Sequence, residues 1–293
     1  MIEGITDKDT SELIKIYEQA ESEIIDTLKD TDFYNLVIKA KVLKQVQNVL
    51  VSLYKPTEKF ITSKSKSEYQ SGIQEVQEAL GKLDFKGSFN LVDPKATQFV
   101  MENLKSIQES AFSDVRNVLS NSYQSIESSL NLIAKKVKNE YATQIASDIV
   151  SNIASKQALG KSRKEISMRL VDLITDKGVT GISYVTESGK QRNLSLSAYV
   201  DGLTRQVLIT SRASAIVSTA LEMGQDLLKI STHSKESKMC KNWSGKIVSI
   251  TGKTDGYPTL SDALFKDYKR GGIMHRFCRH SLRVYIPTDI QFK

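Results

Sequence analysis

Apolar side chains recur every three or four residues along the first two thirds of the chain, the period of a helix buried on one face. The first stripe is Leu13, Tyr17, Ala20, Ile24 and Leu28, and Asp9 with Glu12 reads as its capping-box start. After Asp30, Thr31 and Asp32, a second stripe runs Phe33, Leu36, Ala40, Leu43, Val46, Leu50 and Leu53. Pro56 fits the first turn of a third helix, whose face carries Phe60, Tyr69, Ile73, Val76 and Leu80. Gly81 and Gly87 then interrupt the period, and residues 81–93 read as a linker. Asp93 and Pro94 make an N-cap and N1 pair ahead of Val100, Leu104, Ile107, Ala111, Val115 and Val118. Another stripe, Leu130, Ile133, Val137, Tyr141, Ile145, Ile149 and Ile153, runs toward Gly160. Ser162 with Glu165 opens a further helix over Ile166, Leu170 and Ile174.

The pattern changes at residue 182. Ile182–Thr186 and Gln191–Leu196 flank Glu187, Ser188, Gly189 and Lys190, which predicts a hairpin. A helix from about Ser197 to Glu222 follows, stopped by Gly224. Short strand-like pieces fill the remainder. The expected fold is therefore mainly α, with long helices followed by a small C-terminal α+β module. Four regions are expected: helical residues 1–80, the linker 81–93, a second helical region 94–180 and the module 181–293.

Composition adds exclusions. Hydrophobic residues at 40% and charged residues at 26% fit a globular chain and argue against disorder. No apolar run is long enough for a membrane span. The opening residues Met1, Ile2, Glu3 and Gly4 lack the basic and apolar segments of a secretory signal. Two cysteines are too few for a disulfide scaffold and suit a reducing cytoplasm. A net charge of +7, spread over the whole chain, permits non-specific contact with double-stranded DNA or an acidic surface without requiring it. Lys39, Lys41 and Lys44 read as a solvated basic strip. Arg205 and Arg212, one helix face apart by seven positions, read as paired or solvated, with a partner contact at Arg205 as the other option.

The chemistry-bearing residues are concentrated late. All three histidines and both cysteines fall between His233 and His280. Cys240, His275, Cys278 and His280 form a donor set of the kind tetrahedral zinc takes, with His233 as an alternative fourth ligand. Cys278 and His280, two apart, would share one face of a strand. Two other readings stay open: buried small thiols beside surface histidines, and a Cys240–Cys278 disulfide. Ser237 stands where a Cys-x-x-Cys half-site would need its first sulfur. A Cys-His nucleophile drawn from Cys278 with His233 or His275 lacks a legible orienting group. There is no glycine-rich phosphate loop, no His-Glu-x-x-His and no Gly-x-Ser-x-Gly elbow, so neither an enzyme nor a small-molecule substrate is expected.

The order of these residues carries a resemblance. Tyr199 and Arg205 precede Glu222, Gly224, Asp226, Leu227, Leu228, Ile230, Ser231 and His233. Cys240, Trp243, Gly245, Lys246, Ile247, Ser249, Gly252, Lys253, Gly256, Tyr257 and Pro258 follow. His275, Cys278, Arg279, His280, Tyr285, Ile286 and Pro287 close the set. This stretch resembles the minor head, or head-morphogenesis, proteins of tailed phages that infect Gram-positive bacteria. The resemblance makes Trp243, Gly245, Pro258 and Arg279 structural-motif residues of the module. Family members often carry a cysteine where this chain has Ser237, so histidine would have to complete any metal site here.

The resemblance implies a structural virion protein, assembled in the host cytoplasm, that contacts the portal protein and the major capsid protein in or near the head. Head assembly, genome packaging and ejection are the roles it suggests. Some relatives carry a toxin-like enzyme domain after the Cys-Arg-His segment, and none is expected in the residues beyond His280. Two rivals remain: a DNA-binding ejection protein, motivated by the charge, and a Cys-His hydrolase or nuclease.

Overall fold

The computed structural model describes residues 5, 7–31, 36–81, 94–150, 165, 168, 182–185, 191–234, 236–267 and 270–287. Among the described residues, four long helices come first: α1 (Asp7–Lys29), α2 (Leu36–Ser52), α3 (Tyr54–Gly81) and α4 (Pro94–Val150). The hairpin β1 (Ile182–Val185) and β2 (Gln191–Leu194) leads into α5 (Leu196–Glu222). Then come β3 (Leu227–Ile230), a 3₁₀ turn at Lys241–Trp243, β4 (Ile247–Ser249), the one-turn α6 (Leu260–Ala263) and β5 (Leu282–Val284). The mainly helical class with a small α+β module is borne out. Of the expected elements, the linker from residue 82 to 93, the Gly160 stop and the Ser162 capping box lie outside the described residues, as does the hairpin turn.

The chain forms two compact units, each assembled from separated segments. One comprises Glu12–Thr57 and Arg116–Val200. Its core contains the α1 stripe as read, Leu13, Tyr17, Ala20, Ile24 and Leu28, all buried. On α2 the buried face is Val42, Val46 and Leu50, with Leu53 buried just past its end, whereas Ala40 is exposed and Leu43 half-buried, so the expected face is rotated by part of a turn. In α4 the buried positions Leu119, Ser122, Ile126, Leu130, Ile133 and Val137 are spaced by three or four residues, a seam that keeps one edge of a long helix inward. The stripes read at 100–118 and 130–149 belong to this single helix. The hairpin is antiparallel, with Ile182 opposite Leu194 and Val185 opposite Gln191. Glu21, a buried carboxylate, accepts from the Leu196 backbone N–H at 2.7 Å and from the Ser197 hydroxyl at 2.7 Å. It thereby satisfies one of the orphan backbone donors at the start of α5.

The other unit comprises Met1–Ser11, Glu58–Val115 and Asp201–Lys293. Leu208, Ala213, Ile216, Val217 and Ala220 of α5 meet Val76 and Leu80 of α3, Val100 and Leu104 of α4, and the module's Leu228, Ile230, Val248 and Leu282. Gly72 allows α3 to approach α5 closely, since a Cβ there would lie 2.7 Å from the Arg212 carbonyl oxygen. Arg212 pairs with Glu75 at 3.0 Å and Glu68 at 3.3 Å beside that crossing. Tyr69, expected on the buried face of α3, is exposed. Helix α5 ends as predicted at Gly224, whose φ of 73° closes a Schellman turn. The Gly224 N–H bonds the Leu221 carbonyl at 3.0 Å and the Gln225 N–H bonds the Ala220 carbonyl at 2.7 Å.

The three-stranded sheet is antiparallel throughout, in the order β4-β3-β5. Leu228 lies opposite both Val248 and Val284. Asp226, just before β3, orders the far end of β4. Its carboxylate accepts from the Ser249 hydroxyl at 2.5 Å, the Thr251 N–H at 2.8 Å and the Thr254 hydroxyl at 2.6 Å.

Candidate metal centre

Two arms of the module build the cluster. The first leaves β3, carries His233 and turns at Ser237, where the Cys240 and Lys241 N–H groups both bond the Ser237 carbonyl, at 3.2 and 3.0 Å. The second runs from Gly271 to Ser281 and becomes β5. Antiparallel pairing of β3 with β5 extends into the arms through the Ser231 N–H to the Ser281 carbonyl at 2.9 Å. Farther out, the Gly272 N–H bonds the Met239 carbonyl at 2.9 Å. Gly271 and Gly272 have φ of 70° and 128°, and a Cβ on either would strike backbone, at Met239 or at Leu264 and Phe265, within 2.6 Å. Only glycine lets the second arm lie this close to the turn that carries Cys240.

Beyond the glycines, Met274 and Phe277 have φ of 67° and 65°, a conformation unfavourable to side-chain-bearing residues. The surroundings impose it. The Gln206 amide of α5 donates to the Met274 carbonyl at 2.9 Å, and the Arg276 guanidinium reaches Asp114 of α4 at 3.1 Å. The Phe277 ring lies over Gly202, where any Cβ would collide with it. The Cys278 N–H closes the bend on the His275 carbonyl at 2.9 Å. His275 and Cys278 are thus turned to one side, and Cys278 and His280 are buried while Arg279 between them is exposed. That alternation is the one expected of an extended segment.

Donor atoms of Cys240, His275 and Cys278 lie within 4.8 Å of one another, as do those of His233, Cys240 and His280. The Cys278 sulfur is 3.5 Å from His280 Nδ1. The Ser237 hydroxyl bridges the Cys240 sulfur at 3.4 Å and His275 Nε2 at 3.2 Å. His275 Nδ1 faces the Arg276 carbonyl at 2.5 Å. The His233 and His280 rings are tilted together with centroids 4.4 Å apart, and Glu236 lies 3.9 Å from His280 Nε2. All five residues named from the sequence are therefore gathered at one place, and both cysteines are free and buried.

The electrostatics separate the two thiols. A hydrogen bond between them pulls the Cys240 thiol well below its ordinary range and raises that of Cys278, which burial raises further. Burial also lowers the His280 imidazole toward its neutral form. Glu236 is held ionised by its hydrogen bond from the Ser244 hydroxyl. A buried set of sulfur and imidazole donors, with a carboxylate behind one ring, can chelate a divalent ion such as zinc.

The remaining motif residues frame this cluster. Trp243 is half-buried against the core and carries Lys246 Nζ 5.0 Å from its ring centroid. The module's centre is aliphatic, built from Leu228, Ile230, Val248 and Leu282, so Trp243 lies at its edge and is not the residue it packs around. Gly245, at φ 71°, faces Thr232, and the Pro258 carbonyl accepts from the Ser249 N–H at 2.9 Å. Arg205 takes the paired option: its side chain is 5% exposed, bonded to Asp201 at 2.9 and 3.0 Å and to Thr10 at 3.2 Å. Sequence reasoning missed Gln206, Gly202 and Glu236. The Gly271-Gly272 pair was a visible turn signal, but the buried Gln206 leaves no trace in a periodicity.

A cleft lined by Asn103, Ser106, Ile107, Ser110, Gln206, Ser261, Leu264, Phe265 and Lys266 contains none of the five cluster residues. Fold and site together define a mainly helical protein completed by a small α+β module with a buried Cys/His cluster. A family model described as phage minor capsid protein 2 matches residues 34–289, and the chain belongs to that family. No curated protein and no solved structure matches it.

Proposed function

We propose that this chain acts inside the phage head, bound to the portal protein and to the major capsid protein during head assembly, with a supporting part in genome packaging or ejection. The observation that carries this reading is family membership across residues 34–289, which gives the chain a structural role in the phage head and a place in the virion. Among the described residues no helix is long and apolar enough to cross a membrane. The long helices, with buried seams and polar outer faces, offer rigid surfaces for helix-in-groove docking.

The test is to assemble procapsids from the phage's own proteins with and without portal, adding the full chain in both cases. The chain should co-sediment with portal-containing procapsids and be depleted from shells lacking portal. Its absence from portal-containing particles would overturn the portal reading. A second reading, a DNA-associated ejection protein, is favoured by the net charge of +7.

A further inference from the structure

We propose that Cys240, Cys278, His275 and His280 bind one zinc ion that staples the two arms of the module, with His233 and Glu236 supporting the site from outside. Donor chemistry comes first. Donor atoms of Cys240, His275 and Cys278 lie within 4.8 Å of one another, and His280 Nδ1 is 3.5 Å from the Cys278 sulfur. Two sulfurs and two imidazoles from two separate segments of the chain thus meet in the interior, the donor set a tetrahedral ion takes. Two thiolates neutralise the ion's charge, which a buried site requires.

The ring orientations choose the ligands. A metal-bound histidine usually donates its other N–H to a carbonyl or carboxylate, which fixes the tautomer. His275 has this arrangement, with Nδ1 against the Arg276 carbonyl at 2.5 Å and Nε2 toward Ser237 and Cys240. His280 is oriented toward the carboxylate version, with Nδ1 beside the Cys278 sulfur and Nε2 facing Glu236 at 3.9 Å. His280 Nε2 is buried without a hydrogen-bond partner, and a small approach to Glu236 would satisfy it. His233 differs in being partly exposed and in packing its ring on His280, so it shields the site instead of completing it. Ser237 bonds the Cys240 sulfur at 3.4 Å and is placed to steady it as a ligand.

The backbone itself also shapes the site. Gly271, Gly272 and the left-handed Met274 and Phe277 hold the second arm against the first. Binding then closes the loop between Cys240 and Cys278, and its free energy adds to that of folding.

The test uses the full chain, expressed with added zinc and analysed by elemental mass spectrometry. About one zinc per chain is expected. Cobalt(II) in its place should give the intense visible bands and the thiolate charge-transfer band of a tetrahedral sulfur-nitrogen site. Cys278→Ser should lose the ion, and chelation of the wild-type protein should lower its melting temperature by on the order of ten degrees. Should Cys278→Ser fail to fold, the histidine variants decide: His275→Ala should bind zinc far more weakly, while His233→Ala retains it. A zinc-free protein that takes up no cobalt, or a melting curve indifferent to zinc and chelator, overturns the site. Loss of zinc in His233→Ala with retention in His275→Ala overturns the ligand assignment.

Discussion

Tyr17 is fully buried, and its hydroxyl has Thr57 Oγ1 as its partner at 2.8 Å. Burial, acting before all else, raises its phenol from 10.0 to about 12. The folded state therefore keeps its proton to higher pH than the unfolded chain does. The corresponding stability is complete below pH 10 and is lost as pH rises through 12. Two units correspond to about 2–3 kcal/mol. Tyr17→Phe removes that titration, while Thr57 keeps its bond to the Leu53 carbonyl at 2.6 Å. Urea melts at neutral pH should show the variant about 1 kcal/mol weaker, and the gap should shrink or reverse above pH 10. A wild-type and a variant curve that stay parallel through that range would contradict the assignment. The cluster residues were legible at this scale because cysteine and histidine are scarce here, so their crowding between 233 and 280 stood out. At Arg205 the pairing was legible but its burial was not. A salt bridge to Asp201 four positions earlier looks the same in sequence whether it is solvated or, as here, buried.

Elements were legible wherever one face alone is buried. The α1 stripe and the Gly224 stop were read correctly because a single period and a single backbone requirement decide them. On α2 the sequence offers apolar residues around more than half of the circumference, with Leu43 and Val46 as well as Val42 and Leu50. Periodicity cannot choose between adjacent faces there, and packing chose the one through Val42. The arm from Gly271 to Cys278 falls in the stretch expected as short strand-like pieces, and its actual bent course is set by Gln206, Asp114 and Gly202, which are remote in sequence. Its dependence on glycine is testable. Gly272→Ala places a Cβ 2.6 Å from the Leu264 backbone at a φ of 128°. It should cost about 2 kcal/mol or more in chemical denaturation and loosen the cluster. A neutral effect would show that the arm has another course available.

For the molecule as a whole, charge is the property that bears on partners other than protein. The excess of 41 basic over 34 acidic residues is dispersed, so contact with duplex DNA should be electrostatic and blind to sequence. Retention on duplex DNA should be measurable near ~50 mM salt and gone by ~200 mM. A flat salt response would count against the ejection reading. Sheet order has a consequence of a different kind. β3 is the central strand, yet both of its neighbours follow it in the chain, and β5 comes last. At ribosomal speed the roughly fifty residues between β3 and β5 take several seconds to appear. Throughout that interval one edge of a nascent β3 is left with unpaired backbone groups, so wrong strand pairing is the hazard of its synthesis.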